Sequence, residues 1–286
     1  MKQIVLISGK GGTGKSTITA CLAKTVQNKM LADCDVDAPN LHLLLEHELI
    51  SRADYFGAKV AVIDPDRCVA CGLCRQTCRF QAITPEFEVL PLACEGCAAC
   101  TVLCPADAIR LGPVKTGETC VSATPYGTFA HAQLEIGAEG SGKLVTEVRK
   151  SLFIHERGED YVLFDGSPGI GCVVIASITA TDAVVVVAEA TRSGQHDLER
   201  VLSVADHFRI PAFVCINKWD LNPAVADAIE SWCEQRNYPV LARIPFDPAV
   251  MEALKNGQSP IDAGLDRINA PIIKMWTSLQ GRLAKK

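Results

Sequence analysis

The sequence carries no excess of positive charge. Its 28 lysines and arginines stand against 33 acids, for a formal net charge of −5. A nucleic-acid-binding chain would show a basic domain or stripe, so nucleic acid is not expected as a partner. Aromatic residues are scarce, at 6% of 286 residues. With 48% hydrophobic residues, the core must be mainly aliphatic. There is enough of it for one large domain or two smaller ones. Long apolar runs are missing too. Stretches such as Ala183 to Ala188 fall far short of the roughly 18 residues of a membrane span. The opening run, Met1-Lys2-Gln3-Ile4-Val5-Leu6-Ile7-Ser8, enters a glycine loop and lacks a signal-peptide cleavage pattern. A cytoplasmic protein is expected, with no membrane surface as partner.

Cysteine, by contrast, is plentiful. Eight of the 14 fall between Cys68 and Cys104, and the other six are scattered singly. A secreted disulfide scaffold would be short and cysteine-dense throughout. Clustered thiolate ligands in a reducing compartment suit this distribution better.

The rest of the chain alternates strand and helix. Ile4–Ile7, Val162–Phe164, Val184–Val187 and Phe213–Ile216 are continuously apolar, as buried strands are. Ile18, Cys21, Leu22 and Val26 recur at helical spacing, as do Leu198, Val201, Leu202 and Ala205. The pattern predicts an α/β fold, a mostly parallel sheet flanked by helices. It breaks between about Val60 and Pro113, where Cys68-x2-Cys71-x2-Cys74-x3-Cys78 returns 26 residues later as Cys94-x2-Cys97-x2-Cys100-x3-Cys104. Ala82-Ile83 matches Ala108-Ile109, and Ile63 matches Val89. Residues 60–113 thus read as a small pseudo-symmetric insert between two parts of one α/β domain, 1–59 and 114–286. From Gly112 to Gly142 the chain reads as an irregular, glycine-rich connection.

Gly9-Lys10-Gly11-Gly12-Thr13-Gly14-Lys15-Ser16, followed by Thr17, fits G-x-x-x-x-G-K-[ST] between a strand and a helix. Glycines let backbone N–H groups curl around phosphate oxygens at a helix N-terminus. Lys15 should reach the β/γ-phosphates, and the Ser16 hydroxyl should ligate Mg²⁺. Lys10 is not needed for this cradle. The form K-G-G-x-G-K-S-T resembles the deviant phosphate loop of the MinD, ParA, Mrp and nitrogenase-iron-protein superfamily. That resemblance implies a nucleotide-sandwich dimer in which Lys10 reaches the partner's phosphates, somewhat like an arginine finger. It implies three further segments. Asp33-Cys34-Asp35-Val36-Asp37 resembles switch I, with Asp35 positioning the attacking water and Asp33 and Asp37 near hydrated Mg²⁺. Three alternating carboxylates at one strand end repel unless a cation is near. Asp165-Gly166-Ser167-Pro168-Gly169 resembles switch II, with Asp165 holding Mg²⁺ through water. Asn217, in Asn217-Lys218-Trp219-Asp220, would read the base edge, and Pro245-Phe246-Asp247 would line the base pocket. The first of these strings also fits the N-K-x-D guanine signature of GTPases, so GTP stays open beside ATP.

C-x2-C-x2-C-x3-C is a 4Fe-4S spacing whose fourth cysteine usually serves the other cluster of a pair. Cys68, Cys71, Cys74 and Cys104 would hold one cluster, and Cys78, Cys94, Cys97 and Cys100 the second. Zinc sites pair C-x2-C units across a longer gap, which two matched triplets with a trailing fourth cysteine do not provide. The segment resembles a bacterial 2×4Fe-4S ferredoxin, a small α+β domain. It departs from that pattern at Cys78, which Arg79 follows where Pro105 follows Cys104. Six acids against four arginines between Val62 and Gly112 leave it at −2, so a redox partner would present a basic face.

Other signals are weaker. Cys172, with Cys120, could bind a third cluster between subunits; a small buried thiol is the plainer reading of Cys172. Ser141 reads as a helix N-cap. Ile272, Ile273, Met275, Trp276, Leu279 and Leu283, ahead of Lys285-Lys286, form one helical face expected to pack on the sheet. The six histidines show no ligand spacing. The whole pattern resembles a MinD/Mrp-type ATPase carrying an inserted ferredoxin domain. The function implied is an ATP-hydrolysing dimer, homodimeric or paired with a related ATPase, that couples nucleotide state to electron transfer. Two alternatives remain. One is an Mrp-like iron–sulfur cluster carrier or assembly ATPase, although its C-x2-C pair is missing and Cys215 and Cys233 stand alone. The other is a MinD-like positioning ATPase.

Overall fold

All four continuously apolar stretches lie in the middle of one sheet. The computed structural model describes residues 1–284; Lys285 and Lys286 lie outside the described residues. Strands are Lys2–Ser8 (β1), Lys29–Asp33 (β2), Glu48–Tyr55 (β3), Ala58–Ile63 (β4), Ile109–Val114 (β5), Gly117–Thr124 (β6), Gly127–Leu134 (β7), Tyr161–Pro168 (β8), Ala183–Glu189 (β9), Ala212–Asn217 (β10) and Val240–Ile244 (β11). Helices are Lys15–Thr25 (α1), Leu73–Thr77 (α2), Ala99–Leu103 (α3), Gly142–Phe153 (α4), Cys172–Ile178 (α5), Arg192–His207 (α6), Pro223–Gln235 (α7), Pro248–Lys255 (α8) and Asp266–Leu283 (α9).

Nine strands form one sheet in the order β11-β10-β9-β1-β8-β2-β7-β6-β3. Every pairing from β11 across to β7 is parallel. A parallel sheet needs cover on both faces, which is why its strands are apolar throughout rather than alternating. Ile4, Leu6, Leu163, Val185 and Cys215 share one core with Ile18 and Leu22 of α1. Ile272, Met275, Trp276, Leu279 and Leu283 of α9 join that core, while Ile273 turns outward at 45% exposure. The expected packing of the C-terminal helix therefore holds for five of its six apolar residues. Ser141 caps α4, its side chain accepting from the Leu144 N–H at 3.2 Å.

One stretch differs from its reading as an irregular connection. Residues 117–134 form β6 and β7, which lie side by side and are joined by Pro125 and Tyr126. Thr119, Val121, Thr128 and Phe129 supply the β-branched and aromatic character of strands, and Pro-Tyr-Gly supplies the turn. The many small residues mask that signal.

The chain divides into two compact units. The larger comprises Met1–Arg52, Thr119–Gln133 and the chain from Gly140 on; the smaller comprises Ala53–Glu118 and Leu134–Glu139. In the smaller unit β4 and β5 pair antiparallel from Ala58↔Val114 to Ile63↔Ile109. A second, isolated bridge joins Ile83 to Val89. The 26-residue offset turns one pair into the other, since Ile63 corresponds to Val89 and Ile83 to Ile109. Each half-repeat therefore begins beside the end of the other. Ala61, Cys74, Ile83 and Ile109 form the small core between them.

Three of the unassigned histidines meet in the larger unit. His131 on β7 lies between Phe129 and His42, with ring centroids 5.2 Å away on each side and near-parallel planes. His47 stands edge-on to both imidazoles. The Nδ1 atoms of His42 and His131 are buried without a partner. Burial, reinforced by His42, His47 and Arg52, pushes the His131 imidazole down to about 4. Below the ordinary imidazole value, near pH 6.5, the unfolded chain takes up a proton that the folded chain refuses. Stability is then lost as pH falls from about 6.5 toward 4, by up to about 3 kcal/mol. Replacing His131→Gln should flatten that stretch of the stability–pH curve in urea titrations; an unchanged slope would refute the assignment.

Candidate functional site

Gly12 and Gly14 adopt left-handed backbone conformations at φ 77° and 92°, and Gly14 caps α1. A Cβ on Gly14 would collide with the Asn217 amide. Only glycine lets the loop turn there and deliver α1 with its N-terminus toward the crevice. Lys15, the first residue of α1, is buried among carboxylates. Its Nζ lies 2.8 Å from Asp165 Oδ1, 3.6 Å from Asp35 Oδ2 and 3.3 Å from Ser16 Oγ. Burial works to depress the ammonium, but Asp165 and Asp35 outweigh it and raise Lys15 above its ordinary value.

The acids of the two switch-like segments sit at the C-terminal ends of adjacent strands, β2 and β8. Asp33 accepts N–H bonds from Asp35, Asn40 and Leu41, each at 3.0 Å. These bonds curl the segment after β2 back over its own strand end. Burial, then the Asp165 carboxylate, hold Asp33 well above the carboxylate range. Burial also raises Asp35. Asp165 is fully buried; Thr19 and Lys15 both bond its Oδ1, while its Oδ2 has no partner. A buried carboxylate oxygen without a donor fits a cation, and three acids around one lysine leave room for more positive charge. Asp37 is turned aside to accept from the Gly140 N–H at 2.8 Å.

Lys10 does not float free at the start of the loop. Its Nζ pairs with Glu189 at 2.9 Å and lies within 3.5 Å of the Thr191 and Ser193 hydroxyls. Glu189 also holds Lys218 at 2.8 Å, and Lys218 bonds the Gly12 carbonyl at 3.0 Å. Asn217 is expected to read the base edge. Its amide braces the phosphate loop, Nδ2 donating to the Thr13 carbonyl at 2.7 Å. Thr17 lies half-buried on α1, and Pro245 directly follows β11. Thr19 and Glu189 are the contributors that motif spacing does not reveal, whereas Lys218 belongs to the N-K-x-D string. Glu189, an acid ending the apolar strand β9, is the one with a visible cue.

In the smaller unit the eight clustered cysteines line two cavities. Cys68, Cys71, Cys74 and Cys104 border one, and Cys78, Cys94, Cys97 and Cys100 border the other. These are the two crossed sets that the spacing predicts. Among the described residues no three His, Cys, Asp or Glu side chains converge on a point that could hold a single ion. A 4Fe-4S group is a body rather than a point, so ligands arranged around a cavity suit it. The second cavity, about 360 Å³, has room for such a body; the first measures about 20 Å³.

The backbone repeats at the same interval. Left-handed residues Ala70, Gly72 and Gln81 recur 26 residues on as Gly96, Ala98 and Asp107. Such alternations aim successive N–H groups into a concavity that favours anions, including iron–sulfur groups. Ala82 N–H reaches Cys78 Sγ and Ala108 N–H reaches Cys104 Sγ, both at 3.3 Å. Ala61 N–H reaches Cys94 Sγ at 3.4 Å. Burial, then crowding by neighbouring thiols, holds Cys74 and Cys100 above the ordinary thiol value despite backbone hydrogen bonds. A cationic group would relieve that crowding by taking the sulfurs as thiolates. Outside this unit, Cys172 is exposed and Cys120 buried.

The model of the CobQ/CobB/MinD/ParA nucleotide binding domain family matches residues 4–261. The chain belongs to that family. A Methanocaldococcus jannaschii protein, MJ0578, is 32% identical over 260 residues, 89% of this chain and 88% of its own. A Caenorhabditis briggsae cytosolic Fe-S cluster assembly factor, a NUBP1 homologue, is 24% identical over 92% of this chain and 75% of its own. Among solved structures, the septum site-determining protein MinD of Pyrococcus horikoshii, complexed with Mg-ADP, matches with a TM-score of 0.58 at 19% identity. That match covers 100% of this chain and 99% of the other.

As a CobQ/CobB/MinD/ParA chain, the protein is a nucleotide-binding ATPase with an α/β fold. No described helix is long and apolar enough to cross a membrane. The family fold sets the phosphate loop and both acidic strand ends along one edge of the parallel sheet, the usual ligand edge of such sheets. Lys15 is the hinge of the charge balance there. Replacing Lys15→Met strands buried Asp165 and should destabilise the nucleotide-free protein by about 3–5 kcal/mol. The same variant should lose binding of a fluorescent ATP analogue. A variant melting like wild type would contradict the buried pairing.

Proposed function

We propose that this ATPase is a nucleotide-switched dimer whose smaller unit carries two 4Fe-4S clusters and exchanges electrons with a partner protein. The observation that carries the reading is the division of eight cysteines between two cavities, in the crossed 3+1 sets of a two-cluster ferredoxin. Bound clusters supply one-electron transfer; the chain's own part is to hold them and set their surroundings. Arg79 lines the same cavity as Cys78, Cys94, Cys97 and Cys100. A cation there favours the more reduced, more negative state, so Arg79→Pro should lower that cluster's potential relative to its twin.

In the larger unit, Gly9, Gly11, Gly12, Thr13 and Gly14 offer backbone N–H groups to ATP, and Lys15 binds its β/γ-phosphates. Ser16, Asp33 and Asp165 hold Mg²⁺, and Asp35 orients the attacking water. Lys10 leaves Glu189 to reach the phosphates of a second protomer, or of a related ATPase. Charge supplied across a dimer in this way is worth roughly 10³-fold or more in turnover. Lys10→Ala should therefore cut steady-state ATP hydrolysis by at least about 10²-fold while ATP still binds. Comparable turnover in Lys10→Ala would remove the dimer mechanism.

The deciding experiment is an anaerobic redox titration of the reconstituted protein with and without MgATP. A shift in potential on adding MgATP supports coupling. Its absence, combined with transfer of a cluster to an apo-acceptor, leaves the carrier reading that the assembly-factor relative favours. ATP-dependent binding to lipid vesicles would instead favour a positioning ATPase.

A further inference from the structure

The sheet order gives the nucleotide a direction. The acids that pair with Lys15 stand at the ends of β2 and β8, on one side of β1, so the triphosphate's metal-bound end points there. β9, β10 and β11 lie on the other side, so the base falls to the loops after β10 and β11. This rests on the nucleotide reading above. Asp220 sits in the loop after β10, three residues beyond Asn217, whose amide fixes that loop against the phosphate loop. Lys218 fixes it a second time through the Gly12 carbonyl.

At that place a carboxylate would read guanine. The guanine ring offers an N1–H and an N2–H side by side, and two carboxylate oxygens accept both. Adenine offers an acceptor at N1 and gains nothing from a carboxylate there. In this protein both Asp220 oxygens are already engaged. Oδ1 accepts the Phe246 N–H at 2.6 Å. Oδ2 accepts Arg267 Nη2 at 2.9 Å, and Arg267 Nη1 also reaches the Phe246 carbonyl at 3.5 Å. Phe246 follows β11, and Arg267 lies in the first turn of α9. Three separate segments thus converge to occupy and neutralise one carboxylate beside the base position.

We infer that Arg267 is a specificity-determining residue: by holding Asp220 it denies guanine its reader and reserves the site for adenine nucleotides. Arg267 touches neither base nor phosphate in this role; it acts by positioning Asp220. When Arg267 is removed, Oδ2 is freed while Oδ1 keeps the Phe246 bond. A carboxylate oxygen has spare lone pairs, so the group can turn to a guanine edge.

The test is a fluorescence titration of the full chain with mant-GTP and mant-ATP in Mg²⁺, for wild type, Arg267→Ala and Arg267→Gln. The GTP-to-ATP affinity ratio should rise by about tenfold or more in both variants, the range of one well-made bidentate base contact. Adding Asp220→Asn should cancel the gain, because an amide presents only one acceptor. A merely structural ion pair would lower affinity for both nucleotides together and leave the ratio alone. Either an unchanged ratio in a variant that melts like wild type, or wild type binding mant-GTP as tightly as mant-ATP, overturns the inference. Should wild type bind no mant-ATP at all, the nucleotide reading itself fails, separately from this one.

Discussion

Lys15 and its carboxylates are the interaction on which the larger unit turns. One ammonium, buried at the head of α1, lies between Asp165 from β8 and Asp35 beyond β2. Isolating any of these charges in the interior would cost several kcal/mol, so their positions are mutually enforced. Thr19 pins Asp165 from the next turn of α1, and three backbone N–H groups pin Asp33. The phosphate loop and both acidic segments are thereby tied to one another by the chain's own charges. That is also what an anionic ligand with a divalent cation can exploit, since phosphate and metal can replace each partner with one of the same sign.

The smaller unit is organised by repetition instead. A 26-residue unit occurs twice, and the copies exchange ends, so that Ile63 pairs with Ile109 while Ile83 bridges to Val89. The exchange of strand ends and the exchange of fourth cysteines express the same pseudo-twofold relation. Neither half closes a cavity alone, because Cys78 and Cys104 each lie across from their own triplet. Left-handed alanine, glutamine and aspartate at matching positions store strain that a local core of a few side chains must hold.

Features written in local spacing were legible in the sequence. The phosphate loop, the central strands, the cap at Ser141 and the cysteine repeat each depend on residues within a turn or two of one another. Features made by distant segments were not. The β6–β7 hairpin hides behind small residues, and its burial comes from the sheet rather than from its own pattern. His42, His47 and His131 have no common spacing because the fold, not the chain, brings them together. Asp220 and Arg267 are 47 positions apart. Asn217 shows the subtler case, where residue and place were legible but its amide's partner, the Thr13 carbonyl, lies 204 positions away in the chain.

Glu189 bears on how easily Lys10 can travel. A carboxylate with a single cation would be stranded when that cation moved off, and the move would be slow and costly. Glu189 has two, and Lys218 stays behind, itself moored to Gly12. Lys10 is about one-third exposed in this pairing, so parting with it costs on the order of 1 kcal/mol or less. In the proposed dimer the latch on Lys10 would accordingly be a weak one by construction. Its departure would leave the anion satisfied and the phosphate loop still tethered, so the arm could swing without loosening the cradle it springs from.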